Sequence, residues 1–376
     1  MAGLYVHIPF CHRKCPYCDF FSIASTDLLL ETYPSLLIKH LNWASSHKQS
    51  GPFETIYFGG GTPSLLPPES IADILQVVQQ AFGITHNAEI TFEANPGTVS
   101  EQSLAGYRQA GINRLSLGLQ TCNDKHLATL GRLHNQKEGL DAFSRARDVG
   151  FDNISLDLMF ALPAQTTAEF EEDLHSFLEL SPEHLSCYGL TAEPETPFHR
   201  KVKSGEMTLP DEDFYADTFM LVHKRLSEVG YEHYEIANYA LKGRACRHNL
   251  GYWQRQSFLG IGPGAHSFCA RHWGSRSAVP PDLAAYQHAL VNAKEPTQHL
   301  EVFDQESALR ETIYLALRTR NGISDSELQQ RFGCTLQEAF PEAVAASAPW
   351  LIYNNGRWTL TPAGWLIFDR LILPFL

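Results

Sequence analysis

Tyr5 to Phe21 reads YVHIPFCHRKCPYCDFF, an apolar strand-like run that ends in a short loop carrying Cys11, Cys15 and Cys18. No further cysteine occurs before Cys122. Buried structural cysteines do not cluster at C-x3-C-x2-C spacing, so the loop reads as a metal nest. A [4Fe-4S] cubane normally takes four protein thiolates, and three would leave one iron open to an exogenous ligand. The alternative is structural zinc, whose closed shell would draw a fourth ligand from His7 or His12.

Working outward, 376 residues allow one large domain and a small one with a sizeable core. The net charge of −13 excludes nucleic acid as the main partner, because phosphate binding needs a basic footprint. No apolar run approaches the roughly 20 residues of a spanning helix. The strand-like LYVHIPF starts so early that no room is left for a signal peptide, and Cys122, Cys187, Cys246, Cys269 and Cys334 are scattered without framework spacing. The expectation is a cytoplasmic protein.

From residue 4 to about 191, apolar runs alternate with helical patterns. Strands are expected at Leu4 to Phe10, Thr55 to Phe58, Glu89 to Glu93, Arg114 to Leu119, Asn153 to Phe160 and His184 to Leu190. Helices are expected between them at Leu28 to His47, Glu69 to Phe82, Ser100 to Gln109, Gln136 to Val149 and Thr167 to Leu180. Such alternation predicts a parallel α/β sheet with right-handed crossovers, and six units predict a partial (β/α)6 barrel.

The working face of such a barrel lies at the C-terminal strand ends. Polar residues recur there: Gly59-Gly60-Gly61-Thr62-Pro63, Glu93, Gln120 and Asp157. An acid set in an apolar strand costs several kcal/mol unless something pairs with it. A ligand would supply that partner; structural ion pairs to Arg114 or Arg132, and a plain tight turn for the glycines, are the competing readings.

The cysteine triplet, together with YVHIPF before it, resembles the radical S-adenosylmethionine (SAM) superfamily, in the branch that holds oxygen-independent coproporphyrinogen III oxidases and HemW-type haem chaperones. The resemblance covers roughly residues 1 to 230. It implies that Cys11, Cys15 and Cys18 hold a [4Fe-4S] cluster whose open iron chelates SAM. It also implies SAM contacts from Gly60, Gly61, Thr62, Glu93, Gln120, Arg132 and Asp157, with Tyr5 and Tyr17 flanking the cluster loop. Coproporphyrinogen III oxidases of this type carry a further cysteine two positions after the third, where this chain has Phe20. That departure argues against decarboxylase activity.

Beyond a Pro- and Glu-rich loop at Ala192 to Pro210 and a helix at Asp211 to Glu228, a second informative string is Arg247-His248-Asn249-Leu250-Gly251-Tyr252-Trp253. If His248 opens a helix, Tyr252 shares its face. An imidazole beside two aromatics can ligate haem iron while the rings stack on the porphyrin; equally, His248 and Asn249 can hydrogen-bond across a turn with Tyr252 and Trp253 as core. HNxxYW is similar to the HemW haem-binding motif, which implies haem contacts from His248, Asn249, Tyr252 and Trp253, with His248 on the iron and Cys246 a weaker second candidate.

Residues 271 to 298 are turn-rich and read as a connector. The remaining chain predicts helices at Ser307 to Thr319, Ser324 to Phe332 (with Ser324 and Glu327 as a capping box) and Leu336 to Ala346, then a hairpin around Asn354-Asn355-Gly356. This is a small α+β winged-helix-like module. Residues 301–376 hold six arginines, no lysine and nine acids, so packing or partner docking is expected rather than DNA binding. The expected domains are therefore 1–230 (radical SAM core), 231–300 (extension with HNxxYW) and 301–376 (the winged-helix-like module of the coproporphyrinogen oxidase type, HemN). The reading is a haem chaperone passing haem to an acceptor haemoprotein of respiratory or membrane-associated type; the rivals are the decarboxylase and a radical SAM enzyme of unrelated substrate.

Overall fold

The computed structural model describes residues 2–48 and 50–376. Its first part is built from strand and helix in alternation: β1 (Gly3–Ile8), α1 (Asp27–His47), β2 (Phe53–Gly60), α2 (Pro68–Ala81), β3 (Ile84–Ala94), α3 (Glu101–Ala110), β4 (Arg114–Gln120), α4 (Gln136–Asp148), β5 (Ile154–Phe160), α5 (Thr167–Glu179) and β6 (His184–Gly189). Every expected strand and helix of the alternation is present. The strands are apolar on both faces because helices cover one and the barrel interior the other; Val6, Ile56, Leu117 and Leu156 are fully buried. Side-chain caps fix the helix starts. Asn135 and Thr166 each form reciprocal capping boxes with Glu138 and Glu169, an arrangement of about 1 kcal/mol at each helix.

After α6 (Glu212–Glu228) come β7 (Glu232–Glu235), β8 (Asn238–Ala240), α7 (Arg247–Trp253), β9 (Phe258–Ile261), β10 (His266–Cys269), β11 (Ser275–Ala278), α8 (Leu283–Val291) and β12 (Gln298–Val302). Together with the first six strands they make one twelve-stranded sheet among the described residues, in the order β12-β11-β10-β9-β1-β2-β3-β4-β5-β6-β8-β7. β9 lies parallel to β1 on the side away from β2, so a seventh parallel strand joins the six that the sequence indicated. Both ends are extended by antiparallel strands, which leaves the barrel open between β7 and β12.

Two expectations are corrected here. The 271–298 stretch is not a bare connector, since β11 and α8 lie within it, and the loop at 192–210 contains the short helix Pro197–Lys203. A four-residue strand and a seven-residue helix between turns are too short to carry a usable period.

The C-terminal module holds α9 (Gln305–Leu317), β13 (Ile323–Ser324), α10 (Asp325–Phe332), two short helices within Leu336–Ala346, and the hairpin β14 (Leu351–Asn354) and β15 (Arg357–Leu360). Asn355 and Gly356 both have positive φ (50° and 76°), as a type I′ turn demands. The capping box is not formed: the Ser324 hydroxyl bonds Ser326, while Asp325 takes up the Leu336 N–H and the Trp358 indole.

Candidate functional site

The loop after β1 is pinned where Phe10–Cys11 pairs with Ile23–Ala24, so the three thiols are presented together at the C-terminal end of the sheet. All three cysteines are free and partly exposed. Among the described residues no three His, Cys, Asp or Glu side chains converge on a single ion position. A cubane sets each thiolate on its own iron, so its three thiolates need not meet at one point. His7 is also spent, bonded to the Tyr5 hydroxyl (3.1 Å) and the Phe21 carbonyl (3.1 Å). Three adjacent partly exposed thiols are a donor set that fits a [4Fe-4S] cluster with one open iron.

The thiols face a cavity of about 190 Å³, and the strand-end residues meet them there: Gly60, Gly61, Thr62, Glu93, Gln120, Arg132, Asp157 and Tyr17 all line it. Thr62 Oγ1 lies 3.5 Å from Cys11 Sγ, and an Arg132 nitrogen 3.8 Å from Cys15 Sγ. The glycines answer to close packing. A Cβ on Gly61 would fall 2.6 Å from the Phe10 carbonyl oxygen, and one on Gly60, which has φ of 115°, 2.5 Å from the His7 ring. That packing lets Gly61 N–H donate to Ile8 and Thr62 N–H to Phe10, docking the glycine loop onto the cysteine loop.

The acids are not in ion pairs. Glu93 accepts from the Tyr57 hydroxyl (2.7 Å) and the Gly60 N–H (3.2 Å), and Asp157 has only a long bond from Ser116 (3.4 Å). Arg132 gives its strongest bond to the Gly118 carbonyl, and both Arg114 Nε and Arg132 Nε are buried without partners. Burial pushes the Glu93 carboxyl up, and burial with Glu93 nearby pushes Asp157 up to about 7. Gln120 sits at a break in the β4–β5 register with φ of 72°, held by a bond from the Tyr188 hydroxyl (2.9 Å). Positive φ on such a residue is strain of a kind that clusters at working sites. Two half-buried acids outside any ion pair and an arginine beside the thiols suit an amino-acid ligand carrying both charges.

Tyr5 lies elsewhere. Its ring stacks on Tyr57 and lines a second, aromatic cavity of about 390 Å³. Tyr252 and Trp253 of α7 line this same cavity, whereas Asn249 faces a third space of about 360 Å³ inside the barrel, shared with Arg114 and Asp157. His248 is buried against β2, Nδ1 bonded to Thr55 Oγ1 (2.9 Å) and Nε2 to the Tyr252 hydroxyl (2.7 Å). Burial and the nearby Arg114 bring its pKa down to about 3, so the ring is neutral. Cys246 lies beneath the helix, fully buried, its thiol pushed up to about 12, and lines none of these cavities. Glu89, which the sequence reading passed over as a strand acid, accepts the N–H groups of Arg247 and His248 (both 3.1 Å) and so anchors α7. A carboxylate at a helix start satisfies otherwise orphaned donors. Phe20 lines all three cavities.

The pattern of the radical SAM superfamily matches residues 5–177, and that of the HemN C-terminal domain residues 303–367. The heme chaperone HemW of Bacillus subtilis is 33% identical over 357 residues, 94% of this chain and 93% of that protein. The chain belongs to the HemW family. The HemW of Haemophilus influenzae is 36% identical across the whole chain and 97% of its own length; that of Escherichia coli is 42% identical over 70% of this chain and 69% of its own. Among solved structures, the coproporphyrinogen III oxidase HemN of Escherichia coli, described as a radical SAM enzyme, superposes with a TM-score of 0.86 over 100% of this chain and 89% of that one, at 22% identity. That likeness shows the fold, a radical SAM sheet followed by a HemN-type C-terminal module. Membership of HemW in the radical SAM superfamily implies a [4Fe-4S] cluster and SAM. No helix among the described residues is long and apolar enough to cross a membrane.

Proposed function

We propose that this protein is a haem chaperone that binds haem beside α7 and passes it to an acceptor haemoprotein, on a scaffold holding a [4Fe-4S] cluster and exchangeable SAM. The observation that carries this reading is the aromatic cavity: Tyr252 and Trp253 of the HNxxYW string wall it, and Phe20 of the cysteine loop forms its other side. The curated relatives bear the same function in their name.

In this reading Cys11, Cys15 and Cys18 hold three irons, and Thr62 and Arg132 donate toward the sulfurs. The bound cluster would supply an open iron for SAM. Glu93 and Asp157 would take SAM's positive groups, Arg132 its carboxylate, and Gly60 and Gly61 admit it by their lack of side chains. Asn249 and His248 frame the haem helix. For His248 itself to reach iron, the Tyr252 hydroxyl must swing off Nε2.

Anaerobic reconstitution with iron, sulfide and haem tests the proposal through the cluster and haem absorption bands. Stoichiometric haem uptake is expected, followed by transfer to an apo-haemoprotein; a protein that takes up the cluster and ignores haem would end it. A catalytic reading has one observation in its favour, the barrel-interior space that Arg114 and Asp157 share. With coproporphyrinogen III, SAM and reductant we expect no protoporphyrinogen IX.

A further inference from the structure

The aromatic cavity has a second histidine on its wall. β10 runs antiparallel to β9, and β11 to β10, with Phe268 opposite Phe258 on one side and Arg276 on the other. Alternate residues of a strand share a face, so His266 and Phe268 look the same way, and both line the cavity with Tyr252, Trp253 and Phe258. Within β9, Gly260 lets β10 pack close, since a Cβ there would fall 2.0 Å from the His266 carbonyl oxygen. This close approach helps set where the imidazole stands.

The two histidines lining the cavity differ in what their nitrogens have left to give. His7 has both ring nitrogens bonded to protein groups, and so does His248 behind the wall. His266 is exposed, and among the described residues no hydrogen bond to its ring is present. Burial and then Arg276 hold its pKa below the ordinary imidazole value, which keeps a lone pair free near neutrality. The cavity is otherwise apolar, with cations at one side: Arg255 and Arg276 share the single carboxylate of Glu311 and pack over Phe268 and Phe303. Arg276 also approaches Glu301 at 3.8 Å on the surface. A planar apolar ligand with acidic edges and a metal at its centre matches a slot with aromatic walls, the partly exposed Arg276 guanidinium at one side and one uncommitted imidazole.

We propose that His266 is the protein ligand to haem iron in this cavity, and that His248 is a positioning residue, holding the Tyr252 hydroxyl and thereby the aromatic wall. The inference rests on the haem-binding reading above. It assigns the iron to a residue outside the HNxxYW string.

The test is haem titration of the reconstituted full-length protein, read by Soret position, spin state and affinity. Wild type should show a histidine-ligated spectrum. His266→Ala should lose that signature and bind roughly tenfold or more weakly, with free imidazole restoring the band; His266→Met should keep an axial ligand with a shifted band. His248→Ala should weaken binding and leave the Soret position in place. Far-UV circular dichroism confirms that each variant is folded. If His266→Ala keeps the wild-type spectrum and affinity, or if His248→Ala abolishes the histidine signature, the assignment to His266 falls and the haem reading stands. If wild type binds no haem, both fall.

Discussion

Asp157 shows how a single side chain can be read as waiting for a partner. Its folded pKa of about 7 stands above the unfolded carboxyl value of about 3.8 because the charge is buried beside Glu93. A group with a raised folded pKa binds its proton more tightly when native, so stability falls as pH rises from about 4 to about 7 and stays reduced above. In the protein without cluster or SAM, Asp157→Asn should therefore raise the melting temperature at pH 8 and change it little near pH 4. If Asp157 partners a positive group of SAM, as proposed, the same substitution should weaken SAM binding about tenfold or more. Equal melting curves for the two proteins at pH 8 would refute this. The nearby Gly61→Ala makes a steric prediction: a Cβ 2.6 Å from the Phe10 carbonyl oxygen must push the two loops apart. Overpacking of this kind costs roughly 1–3 kcal/mol. Urea melts should show that loss, and the iron content after reconstitution should drop with it.

At the scale of elements, α7 is held less by its own sequence than by β3. Glu89 accepts two N–H groups at its start, and His248 ties its first turn to β2. Glu89→Ala leaves buried donors without acceptors, at a cost of about 1–3 kcal/mol each, and should loosen Tyr252. The expected readout is weakened haem affinity with cluster loading unchanged; unaltered haem binding would show that Glu89 anchors nothing of functional weight. Nothing in a lone sequence marks Glu89 as such a cap, since its partners are 158 and 159 positions away. The same distinction explains which elements were legible. β1 through β6 and their helices announce themselves by period and by apolar runs, and Gly60 to Thr62, Glu93, Gln120 and Asp157 stand out by their position at strand ends, whereas Arg132, in the loop before α4, is indicated only by the resemblance. β9 to β12 did not, because strands of four or five residues, one interrupted by Gly260, carry no period and owe their existence to neighbours across the sheet. The Ser324 box failed for a related reason: the Asp325 carboxylate and the Trp358 indole took up the local hydrogen bonds. Tyr5 lines the aromatic cavity together with His7, two positions further along the same strand face, and not the thiol cavity.

At the scale of the whole molecule, the three cavities belong to one connected arrangement. Phe20 touches the thiol cavity, the barrel interior and the aromatic cavity, and Phe21 continues the aromatic wall. The C-terminal module closes that wall from the other side with Leu315 of α9, and Glu311 of the same helix binds Arg255 and Arg276 of the sheet extension. Ordering the cysteine loop around a cluster would therefore also fix Phe20 and Phe21, so cluster loading should tighten haem binding without any direct contact between the two groups. Coupling free energies of this sort are typically about 1–3 kcal/mol, some 5- to 150-fold in affinity, and act equally in both directions. We predict that haem binds more tightly to the reconstituted protein than to the protein without iron, and that haem slows cluster loss to a chelator. Phe20→Ala removes the ring common to the three spaces and should shrink both effects while each group still binds alone. Isothermal titration of haem into loaded and unloaded forms of wild type and Phe20→Ala measures the coupling. Identical haem affinities in the two wild-type forms would mean that the loop and the aromatic cavity are neighbours without being linked.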